Sequence, residues 1–133
     1  MTTEKKLSGI DDGGTRESYA TGAIREPRSG KGRYDLITPH GLERLAKWYE
    51  LGALKYADRN WEKGIPASRC ISSGMGHIIK YLKGMDDEDH LAAAVWNLMA
   101  VIHFEEVLPE MIDVPTRKQY NETGSVIENV DKG

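Results

Sequence analysis

Residues 91–104, LAAAVWNLMAVIHF, form a segment that is apolar on nearly every side of a helix, and the run Asp86-Asp87-Glu88-Asp89-His90 leads straight into it. A helix without a polar face has to be buried, so this segment dictates a helical core built around it. Seven residues after His90 stands Asn97, a lone amide in the apolar stretch. At about 100° per residue, Asp86, His90, Ala94, Asn97, Val101 and Phe104 share one stripe. Polar atoms on a buried stripe need partners, since each left unpaired costs roughly 1–3 kcal/mol. A divalent cation and a phosphorylated ligand would supply them. The plainer alternative is that the acids complement a helix macrodipole, one of them serving as N-cap.

The flanking sequence supplies two more helices. Thr38 and Pro39 read as a cap and a first helical residue, and Leu42, Leu45, Ala46, Tyr49, Ala53 and Tyr56 then recur at three and four. A second helix fits Ser68 to Leu82, with Ile71, Met75, Ile78, Ile79 and Leu82 on one face and Gly84 ending it. The third runs from about Asp87 to Val107. Residues 1–34 hold six of the 14 glycines and no sustained apolar period, so they read as a loop-rich or flexible arm. The expected organisation is this arm, a helical catalytic core over 35–108, and an extended or disordered tail over 109–133.

Three helices, one apolar all round, are a poor solution for a lone core of about 75 residues, because small cores bury too little of their surface. A second copy of the chain would complete a four-helix bundle across a two-fold axis. The expectation is an all-α homo-oligomer, a dimer or a dimer of dimers.

Bulk properties narrow the function classes. The net charge of −3 argues against direct DNA binding. No apolar run approaches the roughly 20 residues that span a bilayer, and the N-terminus has no signal-like apolar core. Cys70 is the single cysteine, which excludes an internal disulfide and fits a cytoplasmic setting. It reads as a packing residue and not as a nucleophile.

Several motifs carry possible chemistry. Gly30-Lys31 resembles a phosphate loop but fails as a Walker A motif, having Arg25 and Gly32 where glycine and Ser/Thr are required. Lys31 and Arg33, with Arg25, remain candidates for phosphate contact or for a solvated basic loop. Glu43 and Glu50 lie seven apart on one helix and are candidate metal-facing carboxylates; Glu43 also reads as an i,i+4 partner of Lys47. Oxygen ligands in this number suit Mg²⁺ or Mn²⁺. Lys55-Tyr56-Ala-Asp-Arg-Asn60-Trp61 offers a cation, two aromatic rings and an amide, enough to stack a purine and read its edge. Trp61 reads equally well as a plug for the bundle end. The four histidines lack close metal-ligand spacing within one helix, so a His-rich zinc site has little support.

The strings GKGRYDLITP, GALKYADRNWEKG and GHIIKYLKGMDDEDHLAAAVWNLMA resemble the MazZ-like phage family of dATP/dGTP diphosphohydrolases. That family belongs to the all-α NTP pyrophosphatase superfamily of MazG, HisE and dimeric dUTPase. The resemblance covers about residues 20–107. The superfamily pattern is EExxE on one helix and EExxD on a later one, and the second motif lies over Asp86-Asp87-Glu88-Asp89-His90 with His90 replacing the final Asp. Of the first motif, Glu50 is the clear survivor. The resemblance implies a metal set drawn from Glu43, Glu50, Asp86, Asp87 and His90, with Glu50, Asp87 and His90 as the catalytic group. It implies Mg²⁺ or Mn²⁺ as cofactor and (d)GTP or a related purine nucleotide, dATP included, as substrate. Cleavage between the α and β phosphates would release pyrophosphate and the monophosphate. The setting it implies is a phage-infected host cytoplasm, within purine metabolism that leads to 2-aminoadenine.

Lys31, Arg33, Lys55 and Lys80 are then candidates to stabilise the departing pyrophosphate. Tyr56, Asn60, Trp61, His77 and Asn97 complete the expected substrate-binding set. Two rival readings stand beside this one. An HD-type dNTP triphosphohydrolase needs a His-Asp doublet, whereas this chain reads Asp89-His90. A non-catalytic helical interaction protein would use the acids only as caps.

Overall fold

A computed structural model describes residues 16–115 of the chain. They fall into two units that meet at the Thr38–Pro39 bond. In the first, β1 (Glu17–Ser18) and β2 (Ile24–Arg25) pair antiparallel, Glu17 opposite Arg25 and Ser18 opposite Ile24. The turn between them closes with Gly22 at φ +94°, its N–H donating to the Tyr19 carbonyl at 2.8 Å. This small hairpin is an addition to the loop expected there. A short 3-10 turn over Tyr34–Leu36 follows.

The second unit is all-α. Helix α1 covers Pro39–Lys55, α2 covers Ala67–Leu82 and α3 covers His90–Val107. Helix α3 packs chiefly on α2 and less extensively on α1. The buried centre is Cys70, Ala100 and Phe104, closed by Trp61, Ile65, Leu108, Met111 and Ile112. After α3 a 3-10 turn over Pro109–Met111 folds back, and the Asp113 carboxylate accepts from the Ser68 backbone N–H (2.8 Å) and hydroxyl (2.6 Å) in the first turn of α2.

Helix α3 begins at His90, three residues later than expected. Asp89 is its N-cap, with Oδ1 accepting from the Ala92 N–H at 3.1 Å. Asp86, Asp87 and Glu88 therefore precede the helix, and Asp86 does not share a helical stripe with His90 and Asn97. For Asp89 the capping alternative holds.

The apolar periods identify faces that demand burial, but their partners differ from the simple expectation. On α2 the inward residues are the small ones, Ala67, Cys70 and Gly74, while Met75, Ile78, Ile79 and Leu82 are exposed. Close approach is the reason: a Cβ on Gly74 would stand 3.4 Å from the Asn97 Cβ and 3.6 Å from the Ala94 carbonyl oxygen. On α1, Leu45, Trp48, Tyr49 and Ala53 face inward, whereas Leu42 and Tyr56 are exposed.

Candidate active site

An open cleft of about 1190 Å³ runs along the second unit, lined by the C-terminal half of α1, residues 56–62, the cleft side of α2, the turn before α3, and Trp96 and Asn97. One end is built by the α2–α3 connection. Glycine at position 84, with φ +82°, turns the chain so that His77, seven residues earlier, faces His90, six residues later. The His77 and His90 Nδ1 atoms stand 2.9 Å apart, and the Glu88 Oε1 lies 3.9 Å from the His90 Nδ1. His77, Glu88 and His90 bring one ligand atom each within 4.8 Å of one another.

Their protonation follows from the neighbours. The His90 hydrogen bond holds the Asp87 carboxyl below the usual carboxylate range, so Asp87 is ionised and only accepts. The contact between His90 Nε2 and Asp87 Oδ1, at 2.8 Å, is thus a donation from His90. Burial pushes the His77 imidazole down, against the pull of Glu88 and Asp87 in the other direction. Between the two facing nitrogens there is room for one shared proton or, with both lone pairs inward, for a cation. Two imidazole nitrogens on a cation with bonds near 2 Å stand about 3.0 Å apart at adjacent octahedral positions and about 3.3 Å apart at tetrahedral ones, so the pair need open by a few tenths of an ångström at most. A carboxylate that fixes the far nitrogen of a ligating histidine is the usual second layer of such a centre. His90 is 2% exposed and cannot turn away. The residues fit a divalent cation.

The sequence-derived candidates separate into groups. Asp87 and His90 lie together, and Asp87 reaches the cluster through His90. His77, expected to touch substrate, joins the ligand group, and so does Glu88, one of the acids of the 86–89 run from which a residue to orient or deprotonate the water was expected. Spacing within one helix gave no hint of the pair. The signal lay in the near-equal distances of His77 and His90 from Gly84, which an antiparallel helical hairpin brings together. Lys55, Tyr56, Asn60, Trp61 and Asn97 line the same cleft. Glu43 and Glu50 are exposed on α1 and are not among its lining residues. Asp86 is not among the cleft's lining residues and lines a shallow depression with Arg44, Tyr81, Glu88 and His90. Lys80 is exposed outside the cleft lining, though its charge acts on His77 and Asp87. Lys31 and Arg33 belong to the unit before Pro39, where Arg33 forks onto Asp35 at 2.8 and 2.9 Å.

The aromatic wall is more committed to packing than the sequence implies. Trp61 meets Tyr49, Trp96, His103 and Phe104 at ring separations of 4.8–6.2 Å, so much of its ring closes the bundle end. Trp48, which the motifs did not single out, sets its ring edge-on to His77 at 6.0 Å. The buried Asn97 amide donates to the Ala93 carbonyl at 2.9 Å, so its own helix supplies one of its partners. At the far rim, Ala57 and Arg59 take φ +138° and +58°, conformations that cost on the order of 1–3 kcal/mol each and gather at functional sites.

The sequence model described as dATP/dGTP diphosphohydrolase, N-terminal, matches residues 21–113. No curated protein and no solved structure matches the chain significantly.

Proposed function

We infer the reaction from one premise: the chain belongs to the dATP/dGTP diphosphohydrolase family and is a hydrolase of acid anhydrides. Its substrate in this reading is a purine nucleoside triphosphate, dGTP or GTP first and dATP after them. The bond broken joins the α and β phosphates, giving the monophosphate and pyrophosphate. One observation carries this: His77 and Glu88 stand in the wall of a cleft that also bears Lys55 and Asn60, with a ligand atom of the buried His90 within 4.8 Å of theirs.

A divalent cation held by these three residues would neutralise phosphate charge and lower the pKa of the attacking water. Two imidazoles in the donor set favour Mn²⁺ over Mg²⁺, which prefers oxygen and its own waters. The chain's residues do the rest. Asp87 keeps the His90 ring in one tautomer, with Nδ1 toward the cation. Glu88 has a second carboxylate oxygen with which to orient the water and take its proton. Lys55 stabilises the charge that develops on the leaving pyrophosphate. Asn60 reads the purine edge, beside Tyr56 and Trp61. A site that pairs with guanine rejects a base that leaves its polar groups unpaired.

The exposed apolar faces of α2 and α3 belong, in the same reading, to a homo-oligomer. Among the described residues no helix is long and apolar enough to cross a membrane. We place the enzyme in the cytoplasm of a phage-infected host, without direct DNA binding, where dGMP is the product used toward 2-aminoadenine.

Incubation with dGTP and Mn²⁺ or Mg²⁺, followed by product identification, tests the reaction. Monophosphate and pyrophosphate support it. Nucleoside and triphosphate point to the HD-type alternative, and no turnover across a nucleotide panel points to an interaction protein. The His77→Ala variant should lose at least about 100-fold in kcat while keeping its helical circular dichroism.

A further inference from the structure

The turn that carries Asp87, Glu88 and His90 is tied to α1 through Asp89. Asp89 sits between Glu88 and His90, and both its carboxylate oxygens are held by Arg44 from α1: Nε to Oδ2 at 2.8 Å and Nη2 to Oδ1 at 2.6 Å. Oδ1 also accepts from the Ala92 N–H, which closes the first turn of α3. One carboxylate therefore caps α3 and anchors it to α1. Because His90 is the first residue of α3, whatever fixes Asp89 fixes where the His90 ring begins.

We propose that Arg44 is a positioning residue for the cation centre, acting through Asp89 to hold His90 and Glu88 in register with His77. Arg44 is not among the residues that line the cleft or make up the cluster; it lines the shallow depression behind Glu88 and His90, where its hydrogen bonds to the turn go to this carboxylate. Most surface ion pairs have little effect, but a forked guanidinium–carboxylate contact is the geometry in which they hold a group in place. The pair is mutually reinforced: Arg44 holds the Asp89 carboxyl below its usual range, and Asp89 raises the Arg44 guanidinium. The tolerance is tight, since the imidazoles already face each other at 2.9 Å. A small rotation of the first turn of α3 would separate ligands that α2 and α3 contribute from opposite sides.

The inference rests on the cation reading of the cluster, and the test separates the two. Mn²⁺ binding is followed by the electron paramagnetic resonance of free Mn²⁺, in the whole protein and without nucleotide. Arg44→Ala should raise the Mn²⁺ Kd about tenfold, the lower end of what outer-layer changes produce. Its kcat should return to within about twofold of the wild type once Mn²⁺ is saturating, which a lost ligand cannot do. Asp89→Asn keeps a helix-capping oxygen but loses the charged fork, so it should shift the Kd in the same direction without unfolding α3. The double variant should be no weaker than the worse single variant, because both remove one contact. Wild-type Mn²⁺ affinity in folded Arg44→Ala or Asp89→Asn would overturn the positioning role alone. Additive losses, or a kcat that saturating Mn²⁺ does not restore, would overturn it too. A wild type that binds no Mn²⁺, or binds it equally well as His77→Ala, would overturn the cation reading and this inference with it.

Discussion

His90 shows how much a single position can carry. It opens α3, donates to Asp87 and faces His77, all within one buried ring. Other single residues act as fasteners, and Asp113 is the clearest. Its carboxyl is held below the usual range by the Ser68 hydroxyl and backbone N–H. A carboxyl whose folded pKa is depressed contributes stability at pH above its unfolded value of about 3.9 and loses that contribution as pH falls through the folded value. Asp87 and Asp89, also depressed, act in the same direction. Unfolding free energy should therefore decline on acidification below about pH 4, and Asp113→Asn should flatten part of that decline. Denaturant titrations at a series of pH values would measure both slopes. An unchanged acid limb in Asp113→Asn would refute its role.

Between elements, the approach of α2 to α3 depends on size. Gly74 faces Ala94 and Asn97, and an added Cβ would make ordinary contact with both. Gly74→Ala should be neutral or stabilising by up to about 1 kcal/mol, through helix propensity. Gly74→Val adds methyls where the neighbours have no room and should destabilise by about 1–3 kcal/mol. The same separation of the helices should loosen the His77–His90 pair, so Gly74→Val should also weaken Mn²⁺ binding. Thermal unfolding and Mn²⁺ titration of the two variants check these signs. Gly64 is constrained in a different way. It takes φ +118°, and a Cβ there would come within 2.9 Å of the Met111 Sδ.

At the level of the whole molecule, exposed large apolar side chains outnumber buried ones among the described residues. On α3, Leu98 is 50% and Ile102 55% exposed, and on α2 Leu82 is 73% exposed. Fully burying such a side chain is worth roughly 1.5–3 kcal/mol, about half of which remains to be gained at half exposure, so many of them together favour association. Sedimentation across a wide dilution range should show a dimer or a larger even assembly. Leu98→Glu with Ile102→Glu should dissociate it or leave it unfolded. A compact, helical monomer at low concentration in the wild type would contradict this.

The three helices were legible in the sequence to within about three residues, because apolar periodicity, Pro39 and Gly84 are local signals that need no partner to be read. So was the junction at His90 as a place that needs explaining, since an acidic run entering an apolar helix requires a reason of its own. The placement of the acids was not legible. Whether Asp87 binds a cation directly, orients His90 or caps a helix depends on where α3 starts, and helix starts are decided by which carboxylate finds a backbone N–H and a cation beside it. Asp89 found both, in Ala92 and Arg44. The pairing of His77 with His90 likewise arises from two helices folding back on each other. Sequence spacing describes one element at a time, whereas a site assembled from two helices is set by their approach, and here Gly74 and the alanines of α3 determine that approach.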